Sequence, residues 1–254
     1  MMKLNPPKLN GTTEIVSQRA ENSKTFNLDY GKRALEVHIG AIHYKNDYTP
    51  DEPWKDIDLT WKDNKITKAP YELTLEDNKI TIKNKKSDEI STIELLEIGG
   101  ESLVLASGMV SFKNVALDTD IEIVVENSRV RFVRILKSDK SPKEAKFKIT
   151  GNFRVQASDV DGNIPIESSL VDGILTETLK PDRPVKYPVR IDPTWQVGGD
   201  EGSTDDCTRN TVTTDFFSTT YSALYLGYSS PSYPSRGSAA RFLNVAIPTG
   251  STIV

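Results

Sequence analysis

The chain has 254 residues, a formal net charge of −4, and 37% hydrophobic and 27% charged residues. That balance describes a folded, polar chain rather than a disordered one, and it lacks the basic surplus with which proteins grip nucleic acid. The single cysteine, Cys207, excludes an intrachain disulfide, and no apolar run is long enough to span a membrane.

Met1 to Asn10 is polar and proline-marked, without the apolar centre of a signal peptide. Residues 1–12 read as a loose leader. The expectation is that any extracellular role is reached through a particle, by lysis, or as a fragment without its leader. Phe26 and Leu28 alternate with polar neighbours, as in a half-buried strand. Asp29-Tyr30-Gly31-Lys32 supplies a turn, and Arg33 to His38 returns as a hairpin partner. Gly40 to Lys45 and then Trp54 to Asp58 form a strand–loop–strand unit. It holds one of only two histidines and one of three tryptophans. His38 and His43 are five apart, so in a strand they face opposite ways and cannot share a metal. His43 therefore reads as a structural histidine, with Asp56 or Asp58 as partner if the Trp54 strand pairs back on it. Together with Tyr44 and Trp54 these residues are expected to lock a core.

Tyr71, Leu73 and Leu75 alternate, Glu76-Asp77-Asn78 breaks the pattern, and Ile80 and Ile82 resume it, which is a hairpin. Asp63 to Thr67 recurs as Asp77 to Thr81, the same turn-plus-strand solution used twice. Further strands are expected at Ile93–Leu95, Leu103–Leu105, Ile121–Val125, Arg129–Leu136 and Phe147–Val155. Lysines crowd the stretch from Lys62 to Lys148, as a solvated β-surface requires. Helical spacing is missing, apart from one short turn at Ser141–Ala145. Asp159 to Pro184 reads as loops, and Tyr187 to Trp195 as a closing strand that its prolines place at an edge. Lysine disappears after Trp195, and Ser, Thr, Gly and Tyr take over. Ala239 to Pro248 is a strand, and Thr252 to Val254 starts another. A strand cut at its start leaves an open edge, so a longer natural chain or a partner's strand is expected.

The pattern predicts an all-β fold of antiparallel β-sandwich-like modules in tandem. The first module spans 11–192, and 193–254 begins a second, truncated one.

Asp159-Val160-Asp161-Gly162-Asn163 resembles the first half of a calcium loop, but Glu167 comes too early to close it. No cofactor is expected, with calcium at Asp159, Asp161 and Asn163 as the exception to test. Tyr221, Tyr225, Tyr228 and Tyr233 lie among serines and form an adaptable contact surface suited to glycans. Trp54 and Trp61 could stack on sugars, but such residues more often fill a core. A Ser/His/Asp site would need a signature such as G-x-S-x-G, which does not occur. Nothing in the sequence sets two carboxylates across a cleft as a glycosidase requires.

Arg19 to Phe26, Ile42 to Lys45 and Trp54 to Asp58 resemble the opening of wall-associated and Rhs/YD-repeat surface proteins and of related phage virion and tail proteins. Ile135 to Ser138, with Phe147 to Ile149, resembles a strand pair further along such regions. Tyr187 to Thr194 resembles the join to a DNRLRE-type β-sandwich, a relative of carbohydrate-binding modules. Arg241-Phe242 and Ile247 to Ile253 are similar to the recurring text of that module. Ala41 stands where such proteins usually carry proline, and no YD repeat occurs. The resemblance implies a non-enzymatic display or attachment component of a virion or cell surface. Its partners would be other subunits or further domains of a larger protein. The alternative it leaves open is a carbohydrate-binding module.

Overall fold

The computed structural model describes residues 13–38, 40–96 and 101–197, and beyond them the strands Asp206–Asn210, Phe216–Ser218 and Arg236–Ala240. The chain divides into two units, Met1–Gly199 and Asp200–Val254. The first is all-β and antiparallel, built mainly on two seven-stranded sheets. In spatial order, sheet I runs Ile166–Val171, Ile174–Leu179, Glu144–Thr150, Ile90–Leu95, Lys79–Asn84, Tyr71–Glu76, Lys65–Ile66. Sheet II runs Glu101–Ala106, Met109–Ala116, Thr119–Glu126, Arg129–Leu136, Val189–Gln196, Arg154–Asp159, Gly162–Ile164. Among the described residues, no helix is long and apolar enough to cross a membrane.

Each sheet begins as a meander whose register follows from its alternation. Tyr71, Leu73 and Leu75 are buried, while Glu72 and Glu76 are exposed. Tight turns carry the required backbone shape: Asp63 and Asn64 hold φ of 50° and 57°, and Lys62 and Lys65 exchange N–H···O bonds of 2.9 and 2.8 Å across them. Asp and Asn tolerate that left-handed conformation better than most residues. Asp77-Asn78 joins Glu76 to Lys79 in the second such turn, with Asp77 at φ of 50°.

Both sheets feed the same core. Tyr71, Ile82 and Phe147 of sheet I join Ile123, Phe132 and Trp195 of sheet II in one cluster. Tyr71 and Trp195 meet edge-on, ring centroids 5.4 Å apart, and the Trp195 indole N–H donates to Ser91 Oγ at 3.1 Å. Gly151 stands where the chain leaves sheet I for sheet II, with φ of +90°. A Cβ there would sit 2.2 Å from Ser91 Oγ, so only glycine fits. A second, smaller cluster holds Leu136, Ala157, Ile164, Leu179, Val189 and Ile191.

Between the two clusters lies a buried ion pair. Arg134 Nε donates to Glu177 Oε1 at 2.8 Å, with the side chains 3% and 0% exposed. Arg134 Nη1 also donates to the Pro142 carbonyl at 2.7 Å. Burial raises the Glu177 carboxyl above its ordinary value, and Arg134 opposes that rise.

Three readings of the sequence are corrected. The stretch from Asp159 to Pro184 supplies three strands, Gly162–Ile164, Ile166–Val171 and Ile174–Leu179. In Ile174–Leu179 the pattern is masked because Glu177 occupies an inward position beside Arg134, and Ile166–Val171 is exposed from Glu167 onward, so it shows no alternation. Ser141–Ala145 forms no helical turn; Glu144 already opens a strand. Val189–Gln196 is an interior strand, flanked by Arg129–Leu136 and Arg154–Asp159, not an edge. Pro193 is accommodated because the ladder to Arg129–Leu136 is interrupted between Arg131↔Thr194 and Arg134↔Ile191. The same strand runs unbroken through position 193, where the second module was expected to begin. In the second unit, Asp206–Asn210 pairs antiparallel with Phe216–Ser218 and Arg236–Ala240. The expected strand text from Arg241 onward, and the leader, lie outside the described residues.

Removing one member of a buried pair strands the other charge, at a cost of about 3–5 kcal/mol. Glu177→Leu and Arg134→Met are each expected to lose about that much stability in urea titration. The double variant is expected to recover most of it. Simple additivity of the two losses would refute the coupling.

Candidate functional site

Of the residues singled out by the sequence, His43, Tyr44, Trp54 and Asp56 lie where a small three-stranded sheet, Thr13–Glu14, Ser23–Asn27 and Arg33–Val37, meets the unit around His43. His43–Tyr44 pairs with Lys55–Asp56, placing His43 opposite Asp56. The Trp54 segment therefore does pair back on His43. His43 is fully buried. Its Nδ1 lies 2.6 Å from the Ala20 carbonyl, which can only accept, so Nδ1 carries the proton. Nε2 is then 3.7 Å from Asp56 Oδ1. Arg19 Nη1 and Lys24 Nζ reach the same carboxylate at 3.2 and 3.7 Å, while Arg19 also clamps Glu14 at 2.7 Å. Asp58 turns away to Lys68 at 3.1 Å. Burial lowers the His43 pKa below 6.5, and the Arg19 and Lys24 charges push the same way, against the Ala20 hydrogen bond.

The loop after Lys45 is held by its own side chains. Glu52 accepts from the backbone N–H of Asn46 and Asp47 at 2.7 and 2.9 Å, which pushes its carboxyl down to about 2. Lys45, 8% exposed, donates to the Thr49 and Pro50 carbonyls at 2.7 and 3.2 Å. Its ammonium also sits 4.9 Å from the Trp54 ring centre. Trp54 meets Tyr48 edge-on at 6.0 Å; Lys86 lies 5.5 Å from the Tyr48 ring and Lys85 4.7 Å from Tyr44. These aromatic faces are thus occupied by cations of the chain itself. Trp61 packs against the larger core. A polar cleft of about 400 Å³ opens beside this region, lined by Asp58, Thr60, Lys62, Lys65, Thr67 and Lys68.

The residues of the calcium-like segment are engaged otherwise. Arg183 grips Asp159 with two bonds of 2.8 and 2.6 Å, and the Lys186 N–H adds a third at 2.9 Å. These partners hold the Asp159 carboxyl well below the carboxylate range, Arg183 foremost. Asp161 pairs with Lys186 Nζ at 2.9 Å, and Asn163 is exposed in a strand. Among the described residues, no three His, Cys, Asp or Glu side chains converge as a metal site would need. Arg183 and Lys186 were missed because no local pattern links them to a turn more than twenty residues upstream. Tyr221, Tyr225, Tyr228 and Tyr233 lie outside the described residues. Compared with known proteins, the chain matches no family model, no curated protein and no solved structure.

Two outcomes follow. Well above pH 6.5 His43 is neutral folded or unfolded and contributes no pH dependence. As pH falls below that, the unfolded chain takes up a proton that the folded chain resists, so stability is lost through the folded-state pKa. Melting temperature should decline across this window, and His43→Gln should flatten the decline. An unchanged slope would count against the buried neutral histidine. For Asp159, calcium would have to displace Arg183. Millimolar calcium should leave the melting temperature unmoved, whereas a rise abolished by Asp161→Ala would establish the calcium loop.

Proposed function

We propose that this chain is a structural module, a display or attachment component of a virion or cell-surface protein, which acts by contact rather than by chemistry. The observation that carries the reading is the use made of its reactive side chains. His43 ties to Ala20, Asp159 to Arg183 and Glu177 to Arg134. Each joins segments distant in sequence, as a framework requires. The resemblance of Arg19–Phe26, Ile42–Lys45 and Trp54–Asp58 to surface and virion proteins supports the same reading. Its partners are then neighbouring subunits or further domains of a larger protein.

Immunogold labelling with antibody against the full chain tests this on particles and cells of the source organism. Label is expected on the particle or cell exterior; label confined to the cell interior would overturn the proposal. A glycan array run in parallel should show no binding. Binding that disappears in Tyr225→Ala/Tyr228→Ala would instead establish the carbohydrate-binding role.

A further inference from the structure

Sheet ends expose unpaired N–H and C=O groups, and folded chains blunt them with short strands, charges or bulges. Three of the four edges of the large sheets follow this rule. Lys65–Ile66 has two residues, one of them lysine. Gly162–Ile164 has three. Glu101–Ala106 carries a register shift between Val104 and Ala106. The fourth edge, Ile166–Val171, does not. It is six residues long, has neither lysine nor proline, and is exposed from Glu167 onward. Leu170 and Val171 are 58% and 64% exposed. Its inner side pairs with Ile174–Leu179, and among the described residues nothing pairs with its outer side.

The direction of its free hydrogen-bonding groups can be derived. Lys180 N–H donates to the Pro165 carbonyl at 3.0 Å, and Val171 and Ile174 close a two-residue hairpin through Asp172 and Gly173, with φ of 51° and 76°. In an antiparallel ladder the hydrogen-bonded residues alternate. The odd-numbered residues Glu167, Ser169 and Val171 therefore bond inward, opposite Thr178, Thr176 and Ile174. Ile166, Ser168 and Leu170 direct their backbone groups outward.

We infer that this edge is the dimerisation strand of the protein, pairing antiparallel with the same strand of a second copy about a two-fold axis at Ser168. Only even-numbered residues can bond across the join. The register centred on Ser168 uses all three of them. It sets Ile166 opposite Leu170, apolar against apolar, and Ser168 opposite itself. Glu167 falls opposite Ser169. Of the two adjacent allowed registers, the one centred on Glu167 would set the two Glu167 carboxylates face to face, which opposes it, and the one centred on Ser169 would bond within the strand only through Ser168 and Leu170. Charge and the number of bonds across the join thus select one arrangement. Because the far edge of sheet I is a two-residue strand bearing Lys65, pairing closes as a dimer instead of growing into a filament. Six residues a side make a small interface, so association is weak and concentration-dependent. The pairing rests on backbone geometry and holds whatever assembly the chain serves.

Sedimentation velocity of the full chain over a concentration series tests the inference. The wild type is expected to show a monomer–dimer equilibrium. Ser168→Pro removes only an outward N–H, so it should weaken the dimer at least about tenfold while leaving melting temperature nearly unchanged. Ser169→Pro removes an inward bond to Thr176 and should lower the melting temperature. Leu170→Lys, which leaves the backbone intact, should also weaken the dimer. Ser168→Cys in a Cys207→Ser background should oxidise to a covalent dimer, since residues paired on the axis lie about 5.5 Å apart at Cα; Glu167→Cys should not. A wild type that stays monomeric at every concentration would overturn the inference. So would a dimer that both Ser168→Pro and Leu170→Lys leave intact.

Discussion

Arg134 and Glu177 stand on different sheets, yet each sits in a row of inward apolar residues. Arg134 lies between Phe132 of the larger cluster and Leu136 of the smaller one, and Glu177 between Leu175 and Leu179. Two charges out of water are tolerable only as a pair, with their remaining donors satisfied. The Pro142 and Lys143 carbonyls take part of that load, from the connection that enters Glu144–Thr150. The requirement couples the two sheets. A one-residue slip of Arg129–Leu136 would turn Arg134 outward and leave Glu177 buried against carbon. Register within one sheet is thereby tied to register in the other, and the two hydrophobic clusters are divided where the pair crosses between them.

Outside the core, charge serves solubility and strand pairing. The lysine-rich stretch presents alternating signs across sheet I, with Glu76 opposite Lys79, Lys79 opposite Glu94 and Glu94 opposite Lys148. Beside that row runs a line of threonines, Thr74, Thr81, Thr92 and Thr150, in cross-strand register. Thr92 and Thr150 share a hydroxyl–hydroxyl contact of 2.9 Å. Opposite charges and β-branched side chains in facing positions each favour the pairing modestly. The contrast with Ile166–Val171, which has one charge and no such row, makes that edge stand apart.

The region around His43 shows how far residue type alone can be read. Strand alternation and the pairing of His43 with the Trp54 segment were legible, because a short strand, a loop and a second short strand leave few other arrangements. Which acid lies opposite His43 was not. The strand register sets Asp56 there, with Arg19 and Lys24 from the preceding hairpin on its carboxylate, while Lys68 takes Asp58. The lysines over Tyr44 and Tyr48 were equally hidden, since Lys85 and Lys86 lie some forty residues downstream. In the calcium-like segment, the carboxylate spacing was correct for a turn, but the partners of those carboxylates come from a loop that only folding brings near.

The sequence by itself determined the all-β class, most of the strands from Ser23 to Val155, and the tight turns at Asp63-Asn64 and Asp77-Asn78. These rest on local alternation and on which residues tolerate positive φ, both properties of a few consecutive residues. Tertiary structure alone decided that the stretch after Asp159 returns to both sheets, that Val189–Gln196 lies between two strands, and that Glu177 is buried. A buried carboxylate reads as surface until the arginine that neutralises it is in place, and a proline-bearing strand reads as an edge until its neighbour leaves that position unbonded. Both decisions depend on groups tens of residues apart, which no local pattern encodes.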